Sequence, residues 1–227
     1  NGAELHALAA RLYPIPRSIT GDGVRRSLAL LAESIGLAIR EIPTGTPVFD
    51  WTVPRGWRLR AAHLTAPDGR RIADAEANNL QLLNYSAPFR GRVGLAELKR
   101  HLFTLPERPD LVPYRTSYYK EQWGFCLPHR LAESLPEGEY EVVVDTELFA
   151  GSLTLGELAL PGDSTEEVLF STHCCHPSLA NDNLSGMVVA TELARRLAAR
   201  PRRRLSYRFL FLPGTIGAIA WLATNRG

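Results

Sequence analysis

Two spacings of apolar residues run along this chain, one typical of helices and the other of strands. Leu5, Leu8 and Leu12 recur at helical spacing, and the prolines that follow them end the predicted helix. The segment 24–35 repeats this spacing, and Gly36 ends the second predicted helix. The later predicted elements are strands at 37–42, 140–145, 149–160, 167–173 and 205–212 and helices at 184–197 and 216–223.

The order of these elements predicts the fold class. From residue 167 onward the chain reads strand, helix, strand, helix. This order is typical of an α/β domain with a mostly parallel sheet covered by helices. Such a sheet usually has more strands than this sequence supplies, so we expect a C-terminal part of the domain to be missing from it.

The middle of the chain has a different pattern. Between residues 45 and 129 long helical patterns lapse, turn residues are frequent, and Pro67-Asp68-Gly69 is typical of a hairpin. We therefore predict a small β-rich subdomain at 45–129, inserted in a larger α/β domain formed by 1–44 and 130–227.

Composition and charge narrow the function classes. The chain has 227 residues, 45% of them hydrophobic and 22% charged, which is ordinary for a globular protein. A net charge of +2 is too weak to indicate nucleic acid or an anionic membrane as a partner. No apolar run approaches the ~20 residues of a membrane span. Three cysteines, two of them adjacent, do not form a disulfide framework, so we expect a reducing, cytoplasmic compartment.

Candidate chemistry is concentrated at one strand-to-helix turn. His173 ends a predicted buried strand, and Asp182 comes just before the helix predicted from residue 184. Ligands of open α/β sheets bind beyond the carboxyl ends of the strands. Imidazole and carboxylate are normal zinc ligands, and a catalytic zinc site uses three protein ligands and keeps one open position. The turn therefore predicts a metal site.

Simpler structural roles are also open for the same residues. Asp182 or Asn183 could cap the helix, since both residue types are preferred there. His173 could be a buried, satisfied histidine, and the adjacent cysteines could be inert small apolar residues. The metal interpretation is favoured because His, Cys, Cys, His and Asp all surround one turn.

The residues around this turn resemble those of the zinc aminopeptidases of the M28 type. That family carries His-x-Asp at a strand end and Asp-Asn-x-Ser-Gly at the start of a helix, which here correspond to the segments from His173 and from Asp182. The whole chain more closely resembles the DUF4910/DUF2172 family of bacterial aminopeptidase-like proteins. The strings that carry this second resemblance lie at 13–23, 48–54, 104–107, 113–119 and 123–127.

The resemblance implies a function and a set of ligands. It implies a zinc-dependent aminopeptidase-like hydrolase acting on a peptide or amide substrate, with Zn²⁺ bound by His173 and Asp182. A further histidine ligand is expected beyond residue 227. The alternative is an aminopeptidase-fold protein with altered chemistry or a binding role, linked to surface-polysaccharide biosynthesis, with which the family is often associated.

The chain departs from the M28 pattern at two positions. Cys175 stands where that family has the aspartate that orients the metal-binding imidazole, and a thiol is a poor substitute. His176 could compensate, or could bind the metal itself. Gly214 stands where the general-base glutamate is expected, and losing such a base costs ~10²–10⁴-fold in rate. The catalytic residues therefore cannot be assigned from the pattern.

Substrate-binding candidates lie in the predicted subdomain. Arg115, Tyr118 and Tyr119 belong to a string of polar aromatic residues that resembles the family. They could line a substrate cleft, or they could brace the subdomain against the core.

Overall fold

The computed structural model describes residues 2–225 of the chain. It divides into two compact units, one formed by Asn1–Gly56 and Phe149–Gly227 and the other by Trp57–Leu148. Within the described residues, no helix is long and apolar enough to cross a membrane.

The helices and strands follow in chain order. The α-helices are α1 (Gly2–Leu12), α2 (Asp22–Ala32), α3 (Leu95–Leu98), α4 (His129–Glu133), α5 (Ser185–Ala198) and α6 (Ile216–Thr224). The strands are β1 (Ala38–Pro43), β2 (Pro47–Val48), β3 (Trp51–Thr52), β4 (Gly56–Thr65), β5 (Arg71–Asp74), β6 (Phe89–Gly94), β7 (Leu102–Phe103), β8 (Phe125–Cys126), β9 (Glu139–Phe149), β10 (Ser152–Leu160), β11 (Glu167–His173) and β12 (Ser206–Leu212).

The first unit is built on a mixed four-stranded sheet with the order β1-β10-β12-β11. Only β11 and β12, which α5 connects, are parallel; β10 pairs antiparallel with both β1 and β12. The prediction of a mostly parallel sheet is therefore wrong for the described residues. The apolar pattern identified the strands, but a buried strand has the same pattern whichever direction its neighbour runs.

Helices α1, α2 and α5 cover one face of this sheet and form the main core with it. Their apolar stripes supply fully buried side chains such as Leu12, Leu28 and Leu31, which lie in the same cluster as Phe209 and Phe211 of β12. This core packs against one face of β12. Because β11 pairs with β12 along its whole length, the core also positions the C-terminal end of β11.

The second unit is β-rich and lies between the two segments of the first unit along the chain. Its main sheet has the order β5-β4-β9-β6, and the hairpin between β4 and β5 turns at Gly69, whose φ of 85° favours glycine. The unit begins and ends later than the predicted limits of 45 and 129. β9 belongs to it because β9 pairs antiparallel with β6, a partner that the alternating pattern of β9 could not reveal.

Glu157 of β10 ties α6 and β12 to the sheet. Its carboxylate accepts hydrogen bonds from Trp221 Nε1 at 3.1 Å, from Arg208, and from Arg40 Nη1 at 3.3 Å. Burial raises the pKa of Glu157, but the hydrogen bonds from Trp221 and Arg208 outweigh it, so the pKa lies below the usual range.

This arrangement predicts an acid-sensitive stability. A carboxyl with a lowered folded-state pKa stabilises the fold above its unfolded pKa of about 4.3, and the contribution is lost as the pH falls through the lower folded-state value. We expect Glu157→Gln to lower stability at pH 7 and to flatten its decline below about pH 4.3. Urea unfolding at several pH values, followed by Trp fluorescence, measures this. The exposed Glu166→Gln is the control, and an unchanged pH profile in Glu157→Gln would contradict the expectation.

Candidate metal centre

The parallel pair β11 and β12 brings two chain segments to one edge of the sheet. His173, the last residue of β11, lies in register with Leu212, the last residue of β12. The amide of Cys174 extends the ladder by donating to the carbonyl of Leu212 at 2.9 Å. The residues that follow both strands therefore begin at the same level, so Cys175 and Gly214 meet beyond the strand ends.

Three side chains converge beside this edge. Nε2 of His173 lies 2.5 Å from Oδ1 of Asp182, and Nδ1 of His176 lies 3.1 Å from the same oxygen. Possible ligand atoms of all three residues lie within 4.8 Å of one another. The predicted ligands His173, His176 and Asp182 are thus brought together, and we call them the metal triad.

The metal triad is accessible from solvent and carries a stabilised carboxylate. The side chain of Asp182 is 57% exposed, while those of His173 and His176 are 35% and 20% exposed. Partial burial raises the pKa of Asp182, but the hydrogen bond with His173 and the charge of His176 outweigh it, so the pKa lies below its usual range. Asp182 is consequently ionised at neutral pH, as metal binding requires.

The local backbone turns this carboxylate away from the helix. The turn at Ala180–Leu184 that precedes α5 has non-helical φ and ψ angles at Asp182 and Asn183. Neither the turn nor α5 has a side-chain hydrogen bond at its N-cap. The capping alternative therefore does not describe Asp182, whose carboxylate faces the histidines.

The side chain of Asn183 binds the end of β11 and does not cap α5. Its Nδ2 donates a hydrogen bond to Oγ1 of Thr172 at 2.6 Å, which ties the turn to the last residues of β11. Gly186 leaves room for this side chain, since a Cβ there would lie 2.4 Å from Oδ1 of Asn183. Within the Asn-Asp-Asn cluster, Asp182 thus contacts the histidines of the metal triad, and Asn183 binds the end of β11.

Cys175 and Gly214, the two positions that differ from the M28 pattern, are in contact. The backbone N–H of Gly214 donates to Sγ of Cys175 at 3.1 Å. Burial raises the pKa of the Cys175 thiol to about 11, so this group is neutral at pH 7. A neutral thiol facing a backbone amide cannot orient His173 as a carboxylate would, and Gly214 places no proton acceptor beside it.

One residue at this site was missed by the sequence reasoning. Arg17 is fully buried, and its Nε donates to the carbonyl of His176 at 2.8 Å. Burial lowers the pKa of Arg17 to about 10, which still leaves the guanidinium charged at neutral pH. The available signal was that Arg17 lies in the string 13–23, one of those that carry the family resemblance.

The predicted substrate-binding residues lie in the second unit. Tyr119 is 82% exposed, and the hydroxyl of Tyr118 lies 2.8 Å from that of Tyr114. The backbone carbonyl of Arg115 accepts a hydrogen bond from Asn84 at 2.9 Å. Their role in substrate binding stays a prediction.

Comparison with solved structures identifies the fold. The chain is similar to a zinc aminopeptidase from Bacillus subtilis, with 17% identity and a TM-score of 0.56, over 92% of this chain and 60% of that one. It is similar to an M28 peptidase precursor from Shewanella amazonensis, with 11% identity and a TM-score of 0.57, over 96% of this chain and 65% of that one. At these identities the likeness shows the fold alone, and that fold is the α/β fold of the zinc aminopeptidases.

The family follows from closer matches. The model of DUF4910, a domain of unknown function, matches residues 6–227, so the chain belongs to this family and the predicted resemblance is confirmed. A Clostridium acetobutylicum protein named provisionally as a polysaccharide biosynthesis protein with an aminopeptidase-like domain is 46% identical over 99% of this chain. A crystal structure of a provisionally assigned peptidase from the same organism is also 46% identical, with a TM-score of 0.96, over 99% of this chain and 53% of that one. The chain spans about half the length of these relatives, 51% of the first.

Proposed function

We propose that this chain carries the metal site of a zinc-dependent aminopeptidase-like hydrolase that acts on a peptide or amide bond. The observation that supports this most directly is the metal triad, whose ligand atoms lie within 4.8 Å of one another beyond the end of β11. Its place at the carboxyl end of a strand is where α/β enzymes bind their ligands. The fold and the family are consistent with this location.

The donor set fits zinc. Two imidazoles and one carboxylate make up a known catalytic zinc arrangement, and tetrahedral binding at ~2.0–2.2 Å places ligand atoms roughly 3–4 Å apart. The contacts of 2.5 and 3.1 Å around Oδ1 of Asp182 need only a small adjustment toward this spacing. Bound zinc would supply a Lewis acid that polarises a carbonyl group and lowers the pKa of a water ligand toward ~7.

The residues around the proposed ion differ in what they can contribute to hydrolysis. Asp182 is ionised and more than half exposed, so it can hold the ion where a substrate has access. Cys175 cannot take a proton at neutral pH as a general base, because its thiol is already protonated. Since position 214 is a glycine, proton transfer at this site needs a group other than residues 175 and 214.

The proposal is tested by metal analysis and hydrolysis together. Protein purified without chelator is expected to carry zinc, measured by inductively coupled plasma mass spectrometry, and to hydrolyse at least one aminoacyl 4-nitroanilide from a panel. His173→Ala should lose both properties, while His6→Ala, an exposed histidine on α1, should keep them. Wild-type protein without bound metal, even after incubation with zinc, would show the proposal to be wrong.

A second candidate function is a binding role or altered chemistry at the same fold. Gly214 favours it, because the position expected to supply the base has no side chain. The name of the Clostridium acetobutylicum relative connects that protein with polysaccharide biosynthesis. Zinc bound in the metal triad without turnover of any aminoacyl amide would favour this role over hydrolysis.

A further inference from the structure

His176 reaches the metal triad from a different element than its partners. It lies in the turn after β11, not on the strand that carries His173 and not in the turn at Ala180–Leu184 that carries Asp182. Its ring is T-shaped to that of His173, with centroids 4.9 Å apart, and its Nδ1 lies 3.1 Å from both Oδ1 and the backbone carbonyl of Asp182. Because a turn has no ladder to hold it, the place of His176 depends on what fixes this backbone.

Arg17 fixes this backbone from the N-terminal segment. Its Nε donates to the carbonyl of His176 at 2.8 Å, and its Nη1 donates to the carbonyl of Leu12 at 2.6 Å and to Oγ of Ser27 at 3.3 Å. One guanidinium therefore joins the end of α1, the middle of α2 and the turn that carries His176. Its planar group presents several donors at fixed angles, which lysine cannot reproduce.

The burial of Arg17 is costly, which argues for a specific purpose. The side chain is 0% exposed, and its burial lowers its pKa to about 10. Taking a cation out of water is unfavourable, and apolar residues of similar volume are often at least as stabilising. A buried arginine that donates to the carbonyl of a candidate metal ligand is better explained by positioning that ligand than by stability alone.

The positions near His176 do not offer another side chain that could serve as the third ligand from this chain. Cys175 is turned to the amide of Gly214, and Gly214 has no side chain. In residues 2–225, the metal triad is the group of three or more His, Cys, Asp or Glu side chains whose ligand atoms lie close enough to share an ion. Without His176 the described residues would offer this ion two protein ligands.

We infer that the metal triad holds a single divalent ion with His176 as its third protein ligand, and that Arg17 is the positioning residue that presents His176 to it. This inference rests on the proposed function, because it assumes that the triad binds metal. It goes beyond that function by stating that one ion binds and that Arg17 holds His176 in the position from which it binds.

A double-mutant cycle on metal affinity tests the inference. The variants are Arg17→Lys, His176→Ala and the double variant, with zinc affinity measured by chelator competition and folding checked by circular dichroism. Arg17→Lys is expected to weaken zinc binding by roughly 10–100-fold, as loss of a group that orients a ligand does. In the His176→Ala background the same change should alter affinity by no more than about 2-fold, since independent sites add and coupled ones do not.

Cobalt substitution counts the histidine ligands directly. Wild-type protein loaded with Co²⁺ should take up one ion, and Arg17→Lys and His176→Ala should each show one paramagnetically shifted imidazole N–H signal fewer than wild type. Arg25→Lys is the matched control, because Arg25 lies on α2 and pairs with Glu41 away from the turn. If Arg17→Lys does not fold, Arg17→Gln, which keeps one donor nitrogen but no charge, replaces it.

The outcomes separate this inference from the proposed function. Wild-type protein that binds no divalent ion contradicts the proposed function itself. Shifted imidazole signals that His176→Ala leaves unchanged, or two ions bound to the wild-type protein, contradict only the inference. An equal loss of affinity from Arg17→Lys with and without His176, or no loss in either background, shows that Arg17 does not act through His176.

Discussion

Replacing Gly214 with glutamate is expected to raise the hydrolysis of aminoacyl amides by the zinc-loaded protein by roughly 10²–10⁴-fold, the usual contribution of a general base. The residue expected at this position in M28-type enzymes is the glutamate that activates water. The substitution would return a proton acceptor to the edge of the sheet where His173 and Asp182 lie.

The structure has room for a Cβ at position 214. A Cβ at position 214 would lie 3.6 Å from Sγ of Cys175 and 3.7 Å from Cβ of His173, which are ordinary van der Waals contacts. The φ angle of Gly214 is outside the left-handed range, so the backbone does not require glycine. The new side chain would therefore begin beside His173 of the metal triad.

The matched control is Gly214→Gln, which has nearly the same shape but cannot accept the proton. Initial rates with aminoacyl 4-nitroanilides, measured at equal zinc occupancy, should rise in the glutamate variant and stay near wild type in the glutamine variant. Equal rates in all three proteins would show that the glycine is not what limits turnover.

Asp182→Ala is expected to weaken zinc binding by more than the 10–100-fold that loss of a ligand's hydrogen-bond partner costs, because it removes a ligand itself. Asp182 is also the contact shared by the two histidines, since its Oδ1 lies near the nitrogens of both. Its loss should leave the imidazoles without the group that faces them, in addition to removing the negative charge.

Chelator competition and zinc content measure this effect. Asp163→Ala is a suitable control, because Asp163 is similarly exposed and pairs with Arg202 on a different surface. The control should retain wild-type affinity. If Asp182→Ala binds zinc as tightly as wild type, the carboxylate is not a ligand and the assignment of the metal triad is wrong.

The local strand-to-helix pattern was sufficient to predict where the metal triad lies. Apolar residues before His173 predicted a strand that ends there, and polar residues before Leu184 predicted the start of a helix. The strand ends at His173, but no residue of β11 is buried, so the prediction of a buried strand is wrong. The structure brings the side chains between them into contact, because a short turn leaves them little room to diverge. Positions close along the chain could thus be predicted from spacing and residue type.

Contacts between distant segments could not be predicted in this way. The direction of β10 relative to β12, and the place of β9 in the second unit, depend on which strands meet, and alternation of apolar residues does not specify partners. Arg17 lies 159 positions before the residue whose carbonyl it contacts. As a single arginine between helices, it had no local pattern that distinguished it from an exposed one.

The hydrogen bonds of Arg17 couple the metal triad to the N-terminal helices. Leu12 is the one residue of α1 that is buried, while Leu5, Leu8 and Ala9 pack partly buried against the core. Under the proposed arrangement, an ion that binds only while Arg17 is docked stabilises the docked state by ~2.7 kcal/mol at a concentration of 100 times its dissociation constant. Local unfolding of α1 would then become rarer as the site fills, so protease resistance near the N-terminus would report metal occupancy at the far end of β11.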